Sequence, residues 1–383
     1  MKGGTIMDTK RRLSDLRAFM DKQGIDLCIV MHPENQYYLS GFKAVIYSRP
    51  IAFIVEKSLT NLIIPALEKE HAAHEARVDK TFVYYEHPEK ANEGTSYLHA
   101  IDKIILKYAK GTRIGVETNV VSAYLYAHLR MADFEPVDIG QKIAEMRFIK
   151  DEIEIEMLIK SGELVNLALS ASLENARAGI SELELDQFGN KALLEEVARK
   201  YPNSTVDYFV MSPSGVERTI MPHVFSNTRK LQQGDVIIHS RQVGLNGYRA
   251  ENERTFFIGE PTKEQKHAFN IVYEAQNSAR EGIKPGMTAG EVDTLARKVI
   301  QDVGYGEYFF HRTGHGIGIG THEEPSLRFD SDLVLQEGMV FSIEPAIFVP
   351  GIGGFRHSDT VVLTKSGSKL ITEYPRELES LIF

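Results

Sequence analysis

The chain has 383 residues, with 44 Lys+Arg against 53 Asp+Glu and a formal net charge of −9. Its length points to two domains, and its 43% apolar and 25% charged fractions are ordinary for a globular chain able to bury a sizeable core. The acidic balance argues against nucleic-acid or anionic-membrane partners, and the single cysteine, Cys28, excludes internal disulfides and cysteine-based zinc clusters.

The opening MKGGTIMDTKRR is basic but has no apolar stretch behind it, and no run approaches the ~18 apolar residues of a membrane span. A cytoplasmic protein is therefore expected. LSDLRAFMDKQG has apolar residues at helical spacing and stops at Gly24, IDLCIVM reads as a buried strand, and HPEN reads as a loop. The runs AFIVE, TNLIIP, TFVYY and RIGVE read as strands, and LHAIDKIILKYA and AYLYAHLRMA as helices. Such alternation implies an α/β domain over residues 1–145. From Asp151 a long amphipathic helix pattern begins, which places a boundary within QKIAEMRFIKD and a second domain over 146–383.

The second half repeats itself. RAGISELELD (177–186) matches KPGMTAGEVD (284–293), and each holds a helix-start capping box, Ser181/Glu184 and Thr288/Glu291. LQQGDVIIHS (231–240) matches LQEGMVFSIE (335–344), and GYR (247–249) matches GFR (354–356). Three matches in one order imply two duplicated α/β halves around a shared centre, with a site at their junction.

Polar residues gather in HRTGHGIGIGTHEEP, which carries His311, His315, His322 and Glu323 among glycines that disfavour a helix. Glu344 ends an apolar strand in SIEP, and its repeat partner is Ser240. Glu251 and Glu253 alternate along a strand and so share a face, an arrangement equally usual on a solvated strand. His223 stands in MPHVFSN, shortly before the strand holding Ser240.

Together, HRTGHGIGIGTHEEP, SIEP and GGFRHSDT resemble the creatinase/prolidase/aminopeptidase P family, which also includes the methionine aminopeptidases. The resemblance spans nearly the whole chain. It implies an α/β (α+β) protein, with a creatinase-type N-terminal α/β domain and a C-terminal pita-bread domain built on an internal pseudo-two-fold. It also implies a homodimer.

Peptidases of the family hold two divalent metals with five side chains. By the resemblance these fall on Ser240, Glu251, His315, Glu344 and Ser358, so two carboxylates are replaced by hydroxyls. Two carboxylates and one imidazole are too little charge for two bridged cations. The expectation is thus no cofactor, with one divalent metal such as Mn, Co or Zn on Glu251, His315 and Glu344 as the alternative. Creatinase, the metal-free branch, implies His223, Glu253 and Glu344 as catalytic groups. Arg49 would hold a substrate carboxylate, and His311, His315, His322 and Glu251 would line the pocket.

Metal-independent hydrolysis of a C–N bond in a small zwitterionic amidine, guanidine or amide, creatine- or ectoine-like, is the expected activity. The alternatives are a metal-dependent Xaa-Pro dipeptidase or aminopeptidase with an altered site, and an inactive binding protein on the same fold.

Overall fold

The computed structural model describes residues 8–383, so Met1–Met7, on which part of the expectation about a leader falls, lie outside the described residues. Contacts divide the chain into Met1–Arg147 and Phe148–Phe383.

The first unit runs α1 (Thr9–Gln23), β1 (Leu27–Val30), α2 (Pro33–Ser40), β2 (Ala52–Glu56), β3 (Thr60–Pro65), α3 (Lys69–Glu75), β4 (Lys80–Tyr84), α4 (Tyr97–Ile105), β5 (Arg113–Val116), α5 (Ala123–Met131), β6 (Glu135–Asp138) and α6 (Gly140–Phe148). Helix α1 forms because Leu13, Leu16 and Met20 make one buried stripe. Asp8 caps its start, and Gly24, in the left-handed conformation, donates to the carbonyls of Met20 and Asp21 and ends it.

The six strands form one sheet in the order β4-β3-β2-β1-β5-β6, with α4 and α5 supplying Leu98, Ile101, Ile104, Leu125 and Leu129 to its core. HPEN is not a loop. Pro33 opens the short helix α2, its fixed φ suiting a first turn, and Gly41 closes it in the left-handed conformation.

The second unit runs α7 (Glu152–Leu173), α8 (Glu182–Lys200), β7 (Val206–Met211), α9 (Val216–Thr219), β8 (Val236–Leu245), β9 (Tyr248–Phe257), α10 (Lys263–Gly282), α11 (Ala289–Asp302), β10 (Gly314–Gly316), β11 (Glu323–Leu327), β12 (Val340–Ile343), β13 (Ala346–Val349), β14 (Gly353–Arg356), β15 (Ser358–Thr364) and β16 (Gly367–Leu370). Its main sheet has the order β11-β10-β12-β15-β9-β8-β7, with β16 paired to β15.

That order reads the duplication directly. Strands β9 and β15 meet at the centre, and β8 and β12, the paired repeats of the sequence, flank them. Both capping boxes are formed. The residues before them are bonded in the same way in each half: Gly179 donates to the Leu231 carbonyl and Gly286 to that of Leu335.

The helix pairs α7–α8 and α10–α11 cover the sheet. Helix α10 presents Ala268, Phe269, Val272, Ala275 and Ala279, and α11 presents Val292, Ala296 and Ile300, to Phe256, Phe257, Phe341 and Val361. Each large side chain so buried contributes roughly 1.5–3 kcal/mol.

Two histidines inside this unit carry a pH dependence. His239 and His357 are fully buried, and both are held far below the ordinary imidazole range, chiefly by burial and then by neighbouring arginines. An imidazole that stays neutral when folded takes up its proton only on unfolding, so its stabilisation is complete above ~6.5 and declines as the pH falls below it. Each is expected to remove up to about 1.4 kcal/mol per pH unit below ~6.5. Denaturant midpoints measured from pH 7.5 to 5.5 should fall, and fall less steeply for His357→Leu. Identical slopes for wild type and variant would contradict the assignment.

Candidate active site

Register across the central strands assembles the site. Glu253 on β9 lies opposite Ser240 on β8 and Ser358 on β15, and Glu251, two residues earlier on the same face, lies opposite Gln242. On the far side, His315 of β10 pairs with Ser342 of β12, and Glu344 follows β12 directly.

Hydrogen bonds knit these rows together. Glu251 Oε1 accepts from Ser342 Oγ at 2.6 Å and Ser358 Oγ at 2.8 Å, and its other oxygen accepts from Gln242. His315 Nδ1 lies 2.9 Å from the Gly316 carbonyl. Nε2, fully buried, faces Glu344 Oε1 at 3.3 Å. Gly314 is required beside it, because a Cβ there would lie 2.1 Å from the Ser342 carbonyl. His239 turns away from Ser240 into a network with Ser212 and Arg241.

Glu253 is clamped by Arg356, whose Nη2 donates to it at 2.7 Å, and Arg356 Nη1 lies 4.0 Å from Glu344. Ligand atoms of Glu251, His315 and His322 lie within 4.8 Å of one another, as do those of Glu251, Glu253 and Glu344. The rings of His315 and His322 are 4.0 Å apart.

The electrostatics follow from this crowding. Burial works against charge on His315, but the hydrogen-bonding and charge of Glu344, with the charge of Glu251, push its pKa up to about 9. Burial first, and then the charges of Glu251 and Glu344, push Glu253 up despite Arg356. Burial opposes ionisation of Glu344 too, yet His315 and Arg356 together hold it far below the usual carboxylate range. His311 and His322 are both lowered, primarily by burial, His322 further by the charge of His315. The cluster is one that draws positive charge.

A cavity of about 710 Å³ opens onto it, lined among others by His223, His311, His322 and Glu344, with Phe309, Phe310 and Phe348 as an apolar wall. The second unit thus brings together His223, Glu251, Glu253, His311, His315, His322 and Glu344. His223 is exposed, on the turn after α9. Arg49 belongs to the first unit, where it pairs with Glu86 at 2.7 Å.

Sequence reasoning missed Arg356, Gln242 and Ser342. Arg356 had a signal, since the GYR/GFR repeat pairs it with Arg249, which forms its own ion pair with Asp207.

Residues 156–365 match the metallopeptidase family M24, and residues 12–149 match the creatinase/prolidase N-terminal domain. The chain belongs to the M24 family. It is 32% identical to the Xaa-Pro dipeptidase of Pyrococcus furiosus, with 96% of this chain and 99% of that protein covered. It is similar in structure to the prolidase of Thermococcus sibiricus, with a TM-score of 0.85 and 29% identity over 98% of this chain and 99% of that one. Dipeptidase PepE of Mycobacterium ulcerans gives the same TM-score at 27% identity, with both chains covered completely.

These findings overturn two expectations. A metal-independent amidine or guanidine hydrolase is replaced by a hydrolase of the M24 family, whose full-length relatives include the Xaa-Pro dipeptidases of Pyrococcus horikoshii and Pyrococcus furiosus. The expectation of no metal cofactor falls with it. The physical reason lies in the charge tally. The expectation considered only two carboxylates and one imidazole at the implied ligand positions. The fold gathers three carboxylates, Glu251, Glu253 and Glu344, with His315 and His322. Glu253 restores on β9 a carboxylate facing the Ser240 and Ser358 positions. The donor set, carboxylate oxygens with imidazole nitrogens lying within 4.8 Å of one another in each group, fits a divalent cation.

Proposed function

We propose that the chain is a metal-dependent hydrolase of Xaa-Pro dipeptides. The observation that carries the reading is the clustering of Glu251 with His315 and His322, and with Glu253 and Glu344, beside a cavity that His322 and Glu344 line. Glu251, His315 and Glu344 would hold the metal, with Glu253 completing the set. A divalent ion held there supplies Lewis acidity toward the scissile carbonyl and acidifies water at neutral pH.

The remaining chemistry belongs to the side chains. His322, lowered chiefly by burial, is neutral at pH 7 and accepts the proton of the attacking water. His322 then gives that proton to the leaving prolyl nitrogen as the C–N bond breaks. Phe309, Phe310 and Phe348 offer apolar faces to the pyrrolidine ring, and His223 stands at the wall where the substrate enters.

Assays of Mn(II)-supplemented protein on Ala-Pro, Ala-Ala and creatine test the reading. Cleavage of Ala-Pro alone is expected, abolished by chelation and restored by Mn(II). Ala-Pro hydrolysis indifferent to chelator, or no Ala-Pro hydrolysis at all, would overturn it.

A further inference from the structure

Glu251 is held differently from the other two carboxylates of the cluster. Glu253 accepts from Arg356 Nη2 at 2.7 Å, and Glu344 has His315 at 3.3 Å and Arg356 at 4.0 Å. Glu251 is held by neutral donors. Its Oε1 accepts from the hydroxyls of Ser342 and Ser358, which lie 2.7 Å from one another, and its Oε2 accepts from the Gln242 amide. Among the described residues no cationic side chain lies within ion-pair distance of it.

Gln242 reaches Glu251 by register. The two residues stand opposite each other on β8 and β9, so their side chains share one face of the sheet. Gln242 is only 2% exposed. Its Nε2 also lies 3.4 Å from the carbonyl of Thr321, the residue before His322. Its Oε1 is buried and accepts no hydrogen bond among the described residues. Turning the amide over would set that oxygen against the Glu251 carboxylate. The side chain thus keeps its donor on Glu251 and leaves its own acceptor unpaired, which is unfavourable in a buried place. A polar group that breaks this rule without return to the fold marks a functional site.

We infer that Gln242 is a positioning residue for the metal: it holds Glu251, a buried carboxylate with no protein cation of its own, in one orientation for a divalent ion. Without the amide, Oε2 loses its donor and the long side chain must be ordered when the ion binds, which weakens binding. The inference deepens the proposed function and rests on it for the presence of a metal.

Gln242→Met keeps the length of the side chain and removes the donor. It removes the unpaired acceptor as well, so the thermal midpoint of the metal-free protein should stay within about 2 °C of wild type. Mn(II) titrated calorimetrically into chelator-stripped protein should bind about 10-fold more weakly than to wild type. Gln242→Asn keeps an amide but is one methylene short of Glu251, and should match Gln242→Met. The visible absorption of the Co(II)-loaded variants should shift from that of wild type. Gln242 does not line the cavity, so at saturating Mn(II) the KM for Ala-Pro should change less than about twofold while kcat falls about 10-fold.

Equal Mn(II) affinity in wild type and either folded variant would overturn the inference, with the proposed function intact. So would midpoints that fall by more than about 5 °C in both variants, which would make Gln242 a packing residue. Weaker Mn(II) binding by the variants, with no cleavage of Ala-Pro by Mn(II)-loaded wild type, would sink the Xaa-Pro reading and leave the role of Gln242 standing. Wild type that binds no Mn(II) would overturn both.

Discussion

Glu344→Gln is expected to lower kcat/KM for Ala-Pro by about 10³-fold, on the order of 4 kcal/mol of lost transition-state stabilisation. The substitution keeps the side chain's shape and removes one charge. That charge faces His315 Nε2 at 3.3 Å and Arg356 at 4.0 Å. Without it two carboxylates remain to offset Arg356 and a divalent ion, so metal affinity should fall together with activity. Because Glu344 is buried and paired with His315 and Arg356, the thermal midpoint should fall as well. Elemental analysis of the variant after dialysis, run beside the kinetics, reads both effects. Full activity with full metal content would remove Glu344 from the site.

The second large effect is structural. Arg254 has a fully buried side chain, and all of its donors are used. It donates to the Glu253 carbonyl at 2.7 Å, to those of Ser358 at 2.9 Å, Tyr374 at 2.7 Å and Pro375 at 3.1 Å, and to Asp359 Oδ1 at 2.8 Å. It therefore ties β9 to β15 at the two residues that face each other in the site. Removing one member of a buried pair leaves the other charge desolvated, so Asp359→Ala should cost about 3–5 kcal/mol. For a unit of this size that is a fall of roughly 10 °C in Tm. Adding Arg254→Met should recover part of the loss, because no uncompensated charge remains. A Tm for Asp359→Ala within about 2 °C of wild type would show that water reaches Arg254.

Much of the architecture was legible in the sequence because it was written twice. Capping boxes at Ser181 and Thr288, and matched strand starts at Leu231 and Leu335, became equivalent helices and strands about the β9–β15 centre. The polar histidine run and Glu344 were legible as a site because glycines and charges of that density have few structural uses. The first-unit strands followed from short apolar runs. Helix α2 did not, since Pro33, Glu34 and Asn35 carry turn chemistry and its buried contacts are long-range.

The chemistry was less legible, for a reason of register. Matching ligand positions one by one shows Ser240 and Ser358 as losses. It cannot show that Glu253 lies opposite both, because that depends on how three strands align.

Elemental analysis of purified wild-type protein tests the central claim most directly. The gathered carboxylates and imidazoles are expected to retain on the order of one or more Mn, Co or Zn ions per chain through dialysis. They are expected to surrender them, with Ala-Pro hydrolysis, to chelator. Protein that holds no stoichiometric metal after growth and assay in Mn(II), yet turns over its substrate, would contradict the account.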